Sequence, residues 1–272
     1  MQDARVVEAE WLDELPYADP RAQRSRRDLV RINALMGNAR IVAAELARVG
    51  RLRSIAEIGA GDGSFMRMVL RTLGARDVEV HLVDRQPLGT ITADVFDWLS
   101  DPACPRVDAI VANLFLHHFE APRLERLLGL VAQRTRAFIA CEPRRSALAL
   151  GGARLLGLVG CNDVSRHDAV VSVRAGFSGR EISALWPRDR PWILEERARG
   201  AFSHSFVARL DDDPLPNPLP REREQSLDMV SRMEGVRKRI PCGVRPDRTL
   251  EPAVQGGRSP SAAGTSDVGR AQ

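Results

Sequence analysis

Residues 54–63 read Ser-Ile-Ala-Glu-Ile-Gly-Ala-Gly-Asp-Gly, and the reading of this stretch decides the fold. Ser54 to Ile58 is an apolar run of strand length. Gly59, Gly61 and Gly63 come next, residues that take positive φ at little cost and let backbone approach a ligand closely. Phe65, Met66, Val69, Leu70 and Leu73 then recur at helical spacing. A strand therefore feeds a helix N-terminus through a loop almost free of side chains. Such a loop offers unpaired N–H groups and the positive end of a helix dipole to a ligand above it. A tight turn without a ligand is the plainer reading of the same glycines. The dinucleotide spacing Gly-x-Gly-x-x-Gly is not met, because position 64 is Ser64, and this disfavours a nicotinamide oxidoreductase.

Working outward, residues 78–84 alternate and end in Asp84, as a second parallel strand would. A carboxylate at that end is suited to accept hydrogen bonds from both hydroxyls of a ribose, though an exposed strand-end aspartate fits the same pattern. Residues 107–113 are apolar without a break, which reads as a strand buried on both faces. It delivers Asn113 to the carboxyl edge, where open α/β sheets bind ligands. A helix over 124–131 and a strand over 137–141 follow, the latter running into Glu142-Pro143-Arg144-Arg145. Then come an apolar helix within 147–160, a polar connection over 162–168 and a helix near 178–185. Strands over 192–197 and 202–209, joined through Gly200, close the pattern.

Four motifs in this order, Glu57-Ile58-Gly59-Ala60-Gly61-Asp62-Gly63, Val83-Asp84, Ala93-Asp94-Val95-Phe96 and Asn113-Leu114-Phe115-Leu116-His117-His118-Phe119, resemble the class I S-adenosylmethionine-dependent methyltransferases over residues 25–210. The resemblance implies an α/β, Rossmann-like doubly wound sheet, mostly parallel, with a C-terminal antiparallel hairpin. It implies S-adenosyl-L-methionine as cofactor, held by Glu57, Gly59, Ala60, Gly61 and Gly63 at the methionine portion and Asp84 at the ribose. Asp94 would take the adenine amino group, with Val95 or Phe96 flanking the ring, and Asn113 would sit beside the sulfonium. Asp62 reaches the amino end of the cofactor or caps the helix.

Methyl transfer needs donor and acceptor held close, water excluded and, for some acceptors, a proton removed. His117 and His118 are candidates for that proton, since histidine titrates near neutrality; they also fit a packing role at a helix start. His167 is a third candidate, on a stretch that contributes to the acceptor pocket in related enzymes. No Asn-Pro-Pro-aromatic motif follows the fourth strand, which weakens methylation of a base or amide nitrogen. The expected activity is O-methylation of a small hydroxylated or phenolic acceptor. An RNA methyltransferase, or a cofactor-binding protein with reduced or no activity, is the alternative.

One departure stands out: nine residues separate Asp84 from Asp94. A parallel neighbour normally needs a crossover of about a dozen residues, usually a helix. Residues 85–93 are therefore expected to form an edge loop or a stunted strand, leaving the second strand near the sheet edge.

The 272 residues are 44% hydrophobic with a net charge of +4, enough for one sizeable core. All basic residues but Lys238 are arginine, so the basic balance argues little for a nucleic-acid partner. Cys104, Cys141, Cys161 and Cys242 show no metal or disulfide spacing. Neither a signal peptide nor a membrane span is expected, and the chain reads as cytoplasmic. Residues 1–23 read as an N-terminal extension without periodicity, 24–210 as the methyltransferase domain opened by lid helices over 24–50, and 211–272 as a disordered proline-rich tail.

Overall fold

The computed structural model describes residues 4–211. The expected tail falls on residues outside that range, apart from its first position. Seven strands form one sheet: β1 (Ser54–Ile58), β2 (Glu79–Asp84), β3 (Ile91–Thr92), β4 (Ala109–Asn113), β5 (Ala137–Pro143), β6 (Trp192–Arg199) and β7 (Ser203–Leu210). Their spatial order is β3-β2-β1-β4-β5-β7-β6. β1 to β5 run parallel, and β7 is antiparallel to both β5 and β6, which makes the expected C-terminal hairpin.

The helices are α1 (Trp11–Glu14), α2 (Pro20–Met36), α3 (Asn38–Leu46), α4 (Ser64–Leu73), α5 (Val95–Ser100), α6 (Ala121–Arg134), α7 (Ala147–Arg154), α8 (Asp163–Ala175) and α9 (Glu181–Leu185). Successive strand residues point to opposite faces, so the sheet buries two layers. On one face Ile55, Val111 and Ile139 pack with Val42 and Leu46 of α3 and Phe65, Met66 and Val69 of α4. On the other, Ala56, Ile110 and Phe138 pack with Leu99 of α5, Leu124, Leu127 and Val131 of α6 and Ile182 of α9.

β3 is stunted, as the nine-residue spacing requires. It pairs only Ile91 with Val83 and Thr92 with Asp84. The preceding loop is pressed against β2: a Cβ on Gly89 would stand 2.5 Å from the Leu82 carbonyl oxygen. The Leu82 N–H donates to Thr90 Oγ1 at 2.9 Å, and the Ala93 N–H to the Asp84 carbonyl at 2.9 Å. These bonds replace the missing strand length.

Three expectations about elements change. The polar connection over 162–168 is instead the start of α8, because Asn162 caps it by accepting from the Ser165 N–H at 2.9 Å, while Val164, Asp168 and Val171 turn one face inward. α2 begins at Pro20, with Asp19 capping the Arg21 N–H and proline already holding helical φ at the first turn. Trp11–Glu14 forms a single helical turn before Pro16. α1, α2, α7 and α8 gather above the carboxyl edge, joined by bonds such as Ser165 Oγ to Ser25 Oγ at 2.9 Å.

Candidate active site

A cavity of about 1030 Å³ lies over the carboxyl edge of the sheet, bordered by the glycine turn, Asp84, Asp94, Asn113, His117 and His118. The turn owes its path to φ of +68° at Gly59, +53° at Gly61 and +70° at Gly63. Gly59 also gives room to a neighbour, since a Cβ there would stand 2.2 Å from the Phe115 ring. Gly61 faces open space and its N–H donates to Asp84 Oδ2 at 2.8 Å. Asp84 Oδ1 accepts from the Gln86 N–H at 2.8 Å. A carboxylate has about four acceptor positions, so Asp84 keeps capacity for a ligand's hydroxyls.

Glu57 is buried under this turn, and its Oε2 has no hydrogen-bond partner among the described residues. Burial, with Asp62 and Asp84 nearby, pushes its carboxyl well above the usual range. Asp62, one residue before the N-cap Gly63 of α4, accepts from the Ser64 N–H at 2.9 Å. Asp94 caps α5 through the Phe96 N–H at 2.8 Å. Val95 borders the cavity, whereas Phe96 packs edge-on against Phe119 with centroids 5.7 Å apart.

Asn113 sits in an amide chain that the spacing of the motifs did not reveal. Its Nδ2 donates to Asn33 Oδ1 at 2.9 Å, its Oδ1 accepts from Asn38 at 2.8 Å, and Ser203 Oγ donates to Asn38 Oδ1 at 2.6 Å. The helix break at Gly37 places Asn33 and Asn38 on either side of it, the one local sign of this arrangement. Leu114, next in chain, has φ +51°, unique among described non-glycine residues, and it turns the chain into the short 3-10 turn at Leu116–His118.

The three candidate histidines are not equivalent. His117 is buried between two carboxylates, with Nδ1 2.8 Å from Glu142 and Nε2 3.2 Å from Glu10. Burial alone would lower its pKa, but the bonds to Glu10 and Glu142 outweigh this and raise it to about 9. His117 is therefore an imidazolium at neutral pH and has no free nitrogen to accept a proton. Glu142 also receives the N–H groups of Phe115 at 3.0 Å and Leu116 at 2.9 Å, so it fixes the whole turn. Glu10, held below the usual range at about 2 against the opposing effect of burial, is bound by His117 and by Ser172 Oγ as well. Glu10, His117 and His118 place ligand-type atoms within 4.8 Å of one another, but the first two are already spent on each other and on Glu142.

His118 is partly exposed to the cavity, with Nδ1 3.6 Å from Asp13. Burial first and the charge on His117 second lower its pKa, so its ring is neutral at pH 7. His167 does not border the cavity. It stacks on Trp11 with centroids 3.8 Å apart and bonds Asp168 at 2.9 Å.

The residues before α1 form a strap, for which the sequence carries no periodic sign. Arg5 donates to the carbonyls of Ala175 at 2.8 Å and Phe119 at 3.2 Å, and Asp168 accepts the N–H groups of Trp11 and Leu12 at 2.9 and 3.0 Å. Glu142 had one signal, an acid at the end of a buried strand.

With this geometry in place, comparison with solved structures gives the fold class. An O-methyltransferase family protein from Burkholderia thailandensis is 19% identical with a TM-score of 0.51, over 72% of this chain and 62% of that one. The plantazolicin methyltransferase BpumL, solved with SAH, is 12% identical with a TM-score of 0.54, over 71% and 92%. The mitomycin 7-O-methyltransferase MmcR is 18% identical with a TM-score of 0.50, over 73% and 60%. The chain thus has the class I methyltransferase fold, shared with S-adenosylmethionine-dependent O-methyltransferases, and it spans about three fifths of the Burkholderia and mitomycin proteins. No protein-family profile and no curated protein sequence matches it. Among the described residues no helix is long and apolar enough to cross a membrane.

Proposed function

We propose that the protein binds S-adenosylmethionine and methylates a hydroxyl group of a small organic acceptor. The observation that carries this is one cavity bordered at one end by the glycine turn and Asp84 and at the other by a neutral histidine. The residues fit the cofactor: Glu57 is a buried carboxyl whose Oε2 lacks a partner among the described residues, which a ligand ammonium would satisfy, and Asp84 keeps acceptor positions for hydroxyls. Gly59, Ala60, Gly61 and Gly63 would border its amino-acid portion, Asp94 and Val95 its base, and Asn113 its centre. When bound, the cofactor supplies an electrophilic methyl group.

His118 acts as the proton acceptor for the acceptor hydroxyl, with the Asp13 carboxylate 3.6 Å from its Nδ1. His117 and Glu142 hold the turn that carries His118. α2 and the strap cover the cavity and exclude water. Titration calorimetry with SAH tests the binding half, and incubation of labelled cofactor with a library of phenols and enols tests the transfer. Heat with NAD but none with SAH defeats the assignment. RNA labelling with a steep salt dependence would shift it to a nucleic-acid acceptor. A binder with little turnover is the second reading, favoured by the two-residue β3 that shortens the wall beside Asp94.

A further inference from the structure

The amide chain behind Asn113 has a direction. Ser203 Oγ donates to Asn38 Oδ1 at 2.6 Å, Asn38 Nδ2 donates to Asn113 Oδ1 at 2.8 Å and to Asn33 Oδ1 at 3.4 Å, and Asn113 Nδ2 donates to Asn33 Oδ1 at 2.9 Å. Asn33 thus ends the chain with its carbonyl oxygen taken twice. Its Nδ2 has no partner among the described residues, and Asn33 is half-buried on the border of the cavity. The N–H donors of that amide are left for a ligand. Turning the Asn33 amide over would set its nitrogen against the amide nitrogens of Asn38 and Asn113 and lose both incoming bonds. Turning over all three amides would make Ser203 an acceptor and leave its O–H the sulfur of Cys141, the thiol beside it and a weak acceptor. Ser203 and Asn38 are fully buried, so solvent does not make good that loss.

We propose that Asn33 is a specificity-determining residue that donates to an oxygen of the acceptor, so that the preferred acceptor is a hydroxy-carbonyl compound, with its hydroxyl at His118 and its ketone or carboxylate oxygen at Asn33. The place of the hydroxyl rests on the O-methylation reading; the place of the second oxygen rests on the amide chain. Asn113 ends β4 and His118 ends the 3-10 turn that follows it, so both recognition groups are set from the carboxyl end of one strand. An ammonium in the place of the second oxygen meets N–H groups and is refused.

The test reads binding apart from turnover, by calorimetry with SAH present. The ligands are hydroxyacetophenones with the ketone ortho, meta or para to the hydroxyl, the ethylphenols of the same pattern, and the matching aminomethylphenols. In the wild type the best-placed ketone binds about three- to tenfold more tightly than its ethyl counterpart, as one added hydrogen bond gives, and the aminomethyl compound binds more weakly than either. Asn33→Asp keeps an oxygen to receive Asn38 and Asn113 but puts a carboxylate oxygen where the donors stood. It removes the ketone preference and favours the aminomethyl series, a gain that damaged packing does not produce. Ser203→Ala, which frees the chain to reverse, narrows the preference without touching the ligand. No ketone preference in the wild type, or a preference unchanged in both variants, overturns the assignment. SAH affinity that falls tenfold or more in Asn33→Asp while the ketone preference stays overturns it too and gives the donors to the carboxylate of the cofactor. A ketone preference that responds as expected, with no methyl transfer from labelled cofactor to the preferred hydroxyacetophenone, leaves the oxygen site standing and defeats the O-methylation reading instead.

Discussion

At the β1–β2 end of the cavity the ligand-facing groups are chiefly backbone, set by three positive φ values and steadied by Asp84. At the β4–β5 end they are side chains, and the pair His117–Glu10 joins positions 107 apart in sequence. The first end forms from a local run of residues, so its shape survives distant change. The second exists only once the strap, β5 and the 3-10 turn have met, and its charges are buried. It is therefore the end where single substitutions and pH act on stability as well as on chemistry.

The largest effect expected is at His118. His118→Ala should lower kcat by about 100- to 10,000-fold while SAH affinity is kept. Because the neutral ring is the working form and its pKa is lowered, wild-type activity should hold below pH 6.5 and fall at more acid pH. A pH–rate profile flat through that limb would show that no such base operates.

Next comes Glu142, whose loss strands an imidazolium and three backbone N–H groups. Glu142→Ala should cost about 3–5 kcal/mol in denaturant unfolding. A cost near that of an ordinary surface change would remove the contrast between the two ends.

Asp84→Ala should weaken SAH binding by about 2–3 kcal/mol, since hydrogen bonds to a charged acceptor are lost. Calorimetry should find little change in thermal stability beside it, which would set this end apart from the Glu142 end.

The pH response of the strap is graded. His117 is raised to about 9, so its contribution is complete below 6.5 and lost as pH climbs through about 9. Glu10 is lowered to about 2, so its contribution is complete above 4.5 and lost as pH falls through about 2. Hydrogen exchange over residues 5–14 should be slowest between those limits and quicken above pH 9. Exchange indifferent to pH after correction for intrinsic rates would detach the strap from this pair.

The smallest effect is a proton count. Burial raises the Glu57 carboxyl well above its ordinary range, so an ammonium that reaches it should favour the ionised form and binding should release protons. Binding heats in buffers of different ionisation enthalpy should diverge for the wild type and converge for Glu57→Gln.

What the sequence disclosed follows the same division. The glycine turn, Asp84 and the strand ends rest on local spacing and backbone chemistry, and the nine-residue gap was enough to foretell a stunted β3. The strap, the amide chain through Asn33 and Asn38, and the clamp on His117 rest on long-range contacts between ordinary polar residues. A histidine pair reads alike whether it meets solvent or two buried acids, so His117 looked as good a base as His118. α8 was misread as a connection because polar Asn162 and Asp163 open it, and the cap they form is itself a reason for a helix there.

Since β3 pairs only with the last two residues of β2, the outer flank of Glu79 to His81 has no ladder partner among the described residues. That flank lies at the amino end of the strand, away from the acids that border the cavity. It is a site for engineering: a short complementary peptide, fused or added in trans, can extend the sheet there by strand addition and carry a reporter beside the protein. The exposed charge of Glu79 sets which peptide fits, favouring one with a lysine opposite it.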